Sequence, residues 1–124
     1  MASVLDSSAV LALLHREPGA DTVMAVLGDA SISSVNAAEV LRVLARAGLS
    51  IDHAQKALAR LNLQVVSFTE DDLPNFVEIS QRAASLSLGD CACLALGRAM
   101  NAEVFTADRA WAEIDAGVRV SLIR

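Results

Sequence analysis

The feature that most constrains the fold is a regular exchange between short apolar segments and longer segments with helical spacing. The short segments are rich in β-branched residues, and we expect strands at 3–5, 30–33, 63–68, 103–106 and 118–123. The longer segments begin with helix-capping residues and carry apolar residues every three or four positions. Short strands that alternate with helices indicate a parallel sheet covered on both faces. We therefore predict a single α/β domain over residues 1–124 with a central parallel sheet of about five short strands.

Two helix starts carry further expectations. Thr69 is expected to cap a long helix whose first turn holds the acids at 70–72, which the helix dipole favours. Gly89 and Asp90 are expected to open another helix that continues to Met100.

Composition excludes several classes of protein. The chain has 124 residues, of which 54% are hydrophobic, so it has enough apolar surface to fold rather than remain disordered. The longest apolar runs, 9–14 and 91–96, are far shorter than the roughly 20 residues that cross a bilayer, so we expect no membrane association. The start MASVLD lacks the basic and apolar regions of a secretory signal. We therefore expect a cytoplasmic protein.

Charge and cysteine content add two expectations. The formal net charge is −5, so a nucleic acid would be attracted only by a local basic patch or by bound cations. Cys91 and Cys93 lie two positions apart on a predicted helix, so their side chains point away from each other. We expect both thiols to be buried and reduced, with no disulfide and no zinc site.

Four acidic residues are candidates for one site, and we expect three of them at the edge of the sheet where ligands bind. Asp6 directly follows the first predicted strand, and Asp108 lies just past the end of the fourth. Asp90 stands at a helix start, and Glu39 lies one turn after Asn36 on the same helix face. Ligands of such sheets bind beyond the carboxyl ends of the strands. Each acid alone also has a structural explanation as a helix cap, a turn residue or part of a solvated face.

Convergence of these acids would demand cations. Two unit charges 4 Å apart repel by about 4 kcal/mol at an effective dielectric near 20, so a cluster must take up protons or bind metal. Ligands that are all oxygen favour Mg²⁺ or Mn²⁺, and metal-activated water suits phosphodiester hydrolysis. The chain has no GxSxG or Walker motif, and Lys56 in mid-helix does not suit a phosphoaspartate enzyme.

Four segments, taken in order and spacing, resemble one known family. They are VLDSSAVLALL at 4–14, SSVNAAEVLRVL at 33–44, LSLGDCACLALG at 86–97 and FTADRAW at 105–111. Together they resemble a PIN-domain ribonuclease of the VapC toxin type, from bacterial toxin–antitoxin modules. The resemblance spans nearly the whole chain.

The resemblance implies roles for individual residues. The implied catalytic and metal-binding acids are Asp6, Glu39, Asp90 and Asp108. Ser7 or Ser8 and Thr106 match small hydroxyl positions that orient metal-bound water or phosphate, and Asn36 is expected to hold the Glu39 side chain. The implied activity is Mg²⁺- or Mn²⁺-dependent endonucleolytic cleavage of RNA by a homodimer. The implied partner is a cognate VapB-type antitoxin whose carboxyl-terminal segment wraps the toxin and blocks the metal site.

The chain departs from the family pattern at two places. Cys91 follows the glycine-aspartate pair where many relatives have a basic residue, and Arg109 and Ala110 follow Asp108 where some relatives have another acid. Arg109 is a candidate RNA phosphate contact or a solvent-facing turn residue. Trp111 either stacks on a base or packs under its loop.

Three functions remain open at this point. The first is a toxin nuclease, the second a housekeeping RNA-processing PIN nuclease without an antitoxin, and the third a catalytically silent module that binds a partner or RNA. The first two helices are almost entirely apolar, which suits either a groove for an antitoxin helix or burial in the core or a dimer interface.

Overall fold

Five short parallel strands form the centre of the protein in a computed structural model, which describes residues 2–124. The strands are β1 (Ser3–Leu5), β2 (Ala30–Ser33), β3 (Gln64–Val66), β4 (Glu103–Thr106) and β5 (Val120–Leu122). Their order across the sheet is β3-β2-β1-β4-β5, and every neighbouring pair is parallel. The predicted α/β class and the predicted number of strands are confirmed.

Six α-helices connect the strands. They are α1 (Ser7–Leu14), α2 (Ala20–Val26), α3 (Ser34–Arg46), α4 (Ile51–Ala59), α5 (Leu73–Ser80) and α6 (Leu88–Met100). Short 3₁₀ turns lie at Leu27–Asp29, Glu70–Asp72 and Arg109–Glu113. Within residues 2–124, no helix is both long enough and apolar enough to cross a membrane.

The helices cover both faces of the sheet, as neighbouring residues of β1 demonstrate. Leu5 packs in a cluster with Val10 of α1 and Val40 of α3, and α2 and α4 contribute to the same cluster. Val4 packs in a second cluster that contains Leu94 of α6. Successive side chains of a strand point to opposite faces, so these two clusters are the two cores of a three-layer domain.

The pairing of β1 with β4 brings together the residues that follow these two strands. Leu5 pairs with Phe105, and the Asp6 amide continues the ladder by donating to the Phe105 carbonyl oxygen at 2.9 Å. The residues that follow β1 and β4 therefore lie side by side at the carboxyl edge of the sheet.

One predicted helix and several predicted boundaries were wrong. Thr69 does not cap a long helix: it closes a capping box with Asp72 around a 3₁₀ turn, and the eight-residue helix α5 begins only at Leu73. Pro74 suits the first turn of a helix because it has no N–H to donate, so regular helix starts there. The strands predicted at 63–68 and 118–123 are shorter, because pairing is limited to three residues each.

Candidate active site

Asp6 lies at the junction of β1 and α1 and is almost buried, with 5% of its surface exposed. Its Oδ2 accepts hydrogen bonds from Ser8 Oγ at 2.7 Å and from Thr106 Oγ1 at 2.9 Å. Asp6 occupies the N-cap position of α1, but its side chain makes no capping hydrogen bond, so capping does not account for the carboxylate. Two hydroxyl groups therefore fix this carboxylate from two different segments.

Burial dominates the acidity of Asp6. The pKa rises from 3.8 to about 6, mainly because of burial; the hydroxyls of Ser8 and Thr106 oppose the rise, and the charges of Asp90 and Glu39 contribute to it. Within residues 2–124, no cationic side chain pairs with Asp6. The folded protein thus holds an uncompensated buried carboxyl group that would gain from a bound cation.

Glu39 comes to the site from α3, where two side chains hold one of its oxygens. Oε1 accepts from the Ser7 hydroxyl and from Asn36 Nδ2, the latter at 2.8 Å. Asn36 is completely buried and also donates to the Gly89 carbonyl oxygen at 3.0 Å. The expected contact between Asn36 and Glu39 is present, and the bond from Asn36 to Gly89 joins α3 to the first turn of α6.

Asp90 lies in the first turn of α6, where it also has a structural role. Its Oδ2 accepts from the Ser87 amide at 2.9 Å, and Ser87 Oγ accepts from the Asp90 amide at 3.1 Å. This capping box begins the helix at Leu88, one residue earlier than predicted. Burial raises the pKa of Asp90, the Ser87 bonds oppose the rise, and the charges of Asp108 and Glu39 add to it.

Asp108 follows β4 and is exposed. Its Oδ1 accepts from the Ala110 amide at 3.0 Å, while its own amide donates to Thr106 Oγ1 at 3.0 Å. Ser8 Oγ accepts from the Ala107 amide at 3.0 Å. The two hydroxyls that bind Asp6 therefore also hold the loop that carries Asp108.

All four carboxyl groups share one pattern. Each is held by the protein through a single oxygen, and the other oxygen receives no hydrogen bond from residues 2–124; the free atoms are Asp6 Oδ1, Glu39 Oε2, Asp90 Oδ1 and Asp108 Oδ2. In the same part of the chain, the only fully buried polar side-chain atoms without a partner are Asn36 Oδ1 and Trp111 Nε1. Asp6 Oδ1 is not among them, so it keeps contact with solvent and is available to a ligand.

The donor set fits a hard divalent cation in its chemistry. The four acids offer only oxygen, and their charges act on one another. Their side chains are not closed around an ion, since no three Asp, Glu, His or Cys side chains of residues 2–124 lie close enough to enclose one. The free oxygens and the uncompensated Asp6 are the features that a cation would satisfy.

The remaining candidate residues divide into one exposed side chain and three buried ones. Arg109 is exposed, and its side chain makes no ion pair or hydrogen bond within the described residues. Trp111 is 1% exposed, so stacking on a base is wrong and packing under the loop is confirmed. Cys91 and Cys93 are buried free thiols, as expected, and burial raises the pKa of both.

Two residues shape the site in ways that were not predicted from the sequence. Ser87 forms the capping box with Asp90, and the spacing S-x-x-D was a readable signal for it. Gly89 lies directly against the Glu39 carboxylate, and no local sequence pattern predicts this contact.

A profile described as "PIN domain" matches residues 3–117. The chain belongs to the PIN domain family. PIN domains are nucleases in general, which agrees with four acids gathered at one edge of the sheet. The resemblance expected from the four sequence segments is confirmed.

Solved structures share the fold along the whole chain. A chain of VapBC2 from Rickettsia felis, bound to a promoter DNA fragment, has a TM-score of 0.79 at 14% identity, with 98% of each chain covered. A chain of a toxin–antitoxin complex from Klebsiella pneumoniae has a TM-score of 0.77 at 18% identity, with 99% of this chain and 98% of that chain covered. A chain of VapBC-5 from Mycobacterium tuberculosis has a TM-score of 0.64 at 23% identity, with 99% of this chain and 98% of that chain covered. No curated protein matches the sequence significantly.

Proposed function

We propose that this PIN domain protein is a Mg²⁺- or Mn²⁺-dependent endoribonuclease that acts as the toxin of a VapBC-type pair. The observation that carries the proposal is Asp6: a buried carboxyl group with a raised pKa, two acidic neighbours and no cationic partner among the described residues. Such a group is costly for the fold unless it binds a cation. A family of nucleases provides the chemical context.

Four acids would hold the metal, namely Asp6, Glu39, Asp90 and Asp108. When bound, the ion supplies activated water and neutralises charge on the scissile phosphate. The protein's own task is to present these carboxylates in their charged form and in fixed positions. Ser8 and Thr106 lower the pKa of Asp6 and hold its carboxylate in place. Ser7 and Asn36 hold the Glu39 carboxylate in place.

The hydroxyl groups of the site are positioning groups in this proposal. Ser8 Oγ donates to Asp6 and accepts from the Ala107 amide, and Thr106 Oγ1 donates to Asp6 and accepts from the Asp108 amide. A hydroxyl engaged in both directions is poorly placed to attack a phosphate. Hydrolysis by water is therefore favoured over a covalent serine or threonine intermediate.

RNA binding by a chain of net charge −5 needs local compensation. Bound cations would supply part of it at the four acids. Arg109, exposed and unpaired within residues 2–124, directly follows Asp108 and offers a guanidinium to a phosphate. We assign Arg109 this contact within the proposed function.

A VapB-type antitoxin and a homodimer complete the proposal. The antitoxin is supported by the structures sharing this fold, which include several VapBC complexes, whereas the homodimer is carried over from the family resemblance. The antitoxin's carboxyl-terminal segment would cover the four acids and so stop cleavage. Purified toxin should cleave RNA, and toxin mixed with the antitoxin should not.

The deciding experiment is cleavage of a mixed pool of tRNA and rRNA with Mg²⁺ or Mn²⁺. A chelator control and the variant Asp6→Asn are run in parallel. Discrete cuts that disappear in both would support the nuclease, and growth arrest relieved by a protein encoded beside the toxin would support the toxin role. Identical behaviour of wild type and variant would favour the silent binding module. Cleavage without any partner that suppresses it would favour a housekeeping nuclease.

A further inference from the structure

The first turn of α6 passes directly against the carboxylate of Glu39. A Cβ built on Gly89 would lie 2.6 Å from both Cδ and Oε1 of Glu39, with Oε2 nearer still. Real Cβ atoms essentially never come within 3.0 Å of another heavy atom in this way. Any side chain at position 89 would therefore have to displace that carboxylate.

The backbone gives no reason for a glycine at this position. Gly89 lies within the regular helix α6 and is not among the glycines of positive φ. Glycine is among the least favourable residues in a helix. The space that glycine leaves is used by the Glu39 carboxylate.

Other contacts trap the carboxylate in that space. Asn36 Nδ2 donates both to Glu39 Oε1 at 2.8 Å and to the Gly89 carbonyl oxygen at 3.0 Å, and the Ser7 hydroxyl donates to the same Oε1. Glu39 is thus held between the α6 backbone and two donors. Movement of the carboxylate away from α6 would break these bonds.

The other glycines of known surroundings provide a contrast. A Cβ on Gly97, in the same helix, would meet the side chains of Val104 and Val118. A Cβ on Gly28 would meet nothing within 4 Å. Gly97 therefore serves core packing, whereas the space beside Gly89 belongs to a carboxylate.

We infer that Gly89 is a positioning residue, which sets where Glu39 presents its carboxylate to a divalent cation. This inference rests on the proposed function. In Gly89→Ala, the flexible end of Glu39 gives way first, because moving it disturbs less than moving the helix. The fold survives while Oε1 leaves Ser7 and Asn36, and affinity for the cation falls.

The first test is a Mn²⁺ titration followed by thermal unfolding. Gly89→Ala should raise the half-saturating Mn²⁺ concentration by about tenfold or more, the scale on which groups that orient metal ligands act. Gly28→Ala should leave the half-saturating Mn²⁺ concentration unchanged. Gly97→Ala should lower the Tm but should also leave the half-saturating Mn²⁺ concentration unchanged. If wild type and Gly89→Ala respond to Mn²⁺ equally, the inference about Gly89 is overturned and the proposed function is not affected. A wild type that neither responds to Mn²⁺ nor cleaves RNA would overturn the proposed function.

The second test uses no metal and measures the contact itself. Gly89→Ala is introduced into wild type, Glu39→Gln and Glu39→Ala, and the Tm is measured in chelator. Glutamine at position 39 keeps the clash, and alanine at position 39 removes it. Gly89→Ala should therefore raise the Tm in the Glu39→Ala background. In wild type and in Glu39→Gln it should lower the Tm or raise it less. If Gly89→Ala changes the Tm by the same amount in all three backgrounds, position 89 does not contact the Glu39 carboxylate and the inference is overturned. Because Gly89→Ala with Glu39→Ala relieves the clash, this pair folds even if the single variant does not.

Discussion

Thr106 donates its hydroxyl hydrogen to Asp6 Oδ2 at 2.9 Å, so the end of β4 fixes the carboxylate that follows β1. The same hydroxyl accepts from the Asp108 amide at 3.0 Å. One side chain thus links the first and the last of the four acids. Its loss should disturb both the charge of Asp6 and the loop that carries Asp108.

Thr106→Val tests this link, because valine keeps the shape and removes the hydroxyl. Thr106 is completely buried, and its loss leaves the Asp108 amide without its acceptor. We expect the free energy of unfolding to fall by about 1–3 kcal/mol, the usual cost of a lost buried partner. The pKa of Asp6 should rise further, since that hydroxyl lowers it. Urea unfolding at several pH values measures both effects, and Thr106→Ser, which keeps the hydroxyl, should stay close to wild type.

Asp6→Asn should stabilise the metal-free protein in a pH-dependent way. The pKa of Asp6 rises from 3.8 to about 6 on folding, so the wild type loses stability as the pH rises from about 4 to about 6. Two pKa units correspond to about 3 kcal/mol. The variant should therefore match wild type near pH 4 and exceed it by up to about 3 kcal/mol above pH 7, measured by urea unfolding in chelator. Asp71→Asn, at an exposed position, should show no such trend, and a constant difference across this range would contradict the assignment.

Asp90→Asn and Asp90→Ala should separate the two roles of this residue. Asparagine can still accept from the Ser87 amide and preserve the capping box, whereas alanine cannot. Both variants should lose the Mn²⁺-dependent rise in Tm and the cleavage of RNA. Only alanine should also lower stability in chelator, by about 1 kcal/mol. An asparagine variant that still responds to Mn²⁺ like wild type would leave Asp90 with the capping role alone.

Arg98 should hold the segment that leads from the site to β5. Its Nη2 and Nε donate to the Ala116 carbonyl oxygen at 2.6 and 3.2 Å, and Nη2 also pairs with Glu78. Arg98→Ala should cost about 2 kcal/mol, the scale of hydrogen bonds from a charged group, and expose residues 109–119 to proteases. Limited proteolysis with mass spectrometry locates the cuts. Lys56→Ala, which breaks only an exposed helix pair with Asp52, should change neither stability nor cleavage noticeably.

The strands and the location of the acids were predictable because they depend on local pattern and on one topological rule. Alternation of short apolar runs with capped helices predicted a parallel sheet, and such sheets gather the residues that follow their strands at one edge. Asp6 and Asp108 came from that rule directly. Glu39 and Asp90 came from their helix positions and from the family resemblance.

The close contacts were not predictable, because they depend on how helices pack in three dimensions. Nothing in the sequence around Gly89 reports that Glu39, 50 positions earlier, fills the space beside it. The helix expected after Thr69 was wrong for a local reason, since a capping box and Pro74 divide that segment into a 3₁₀ turn and a short helix. The sequence left Asp90 as either a helix cap or a metal ligand, and the structure adds that the cap uses only one of its two carboxylate oxygens.

The pairing of β1 with β4 also determines when the site can form during synthesis. Asp6 and its partner Thr106 are 100 positions apart, so the central strand acquires its β4 neighbour long after it has itself been made. At about 5–20 residues per second, a ribosome needs on the order of 5–20 s to cover that distance. Throughout this interval the nascent chain contains Asp6 but lacks Asp108 and the hydroxyl that fixes Asp6. A metal site of the proposed kind therefore stays incomplete until β4 and the loop after it have been made.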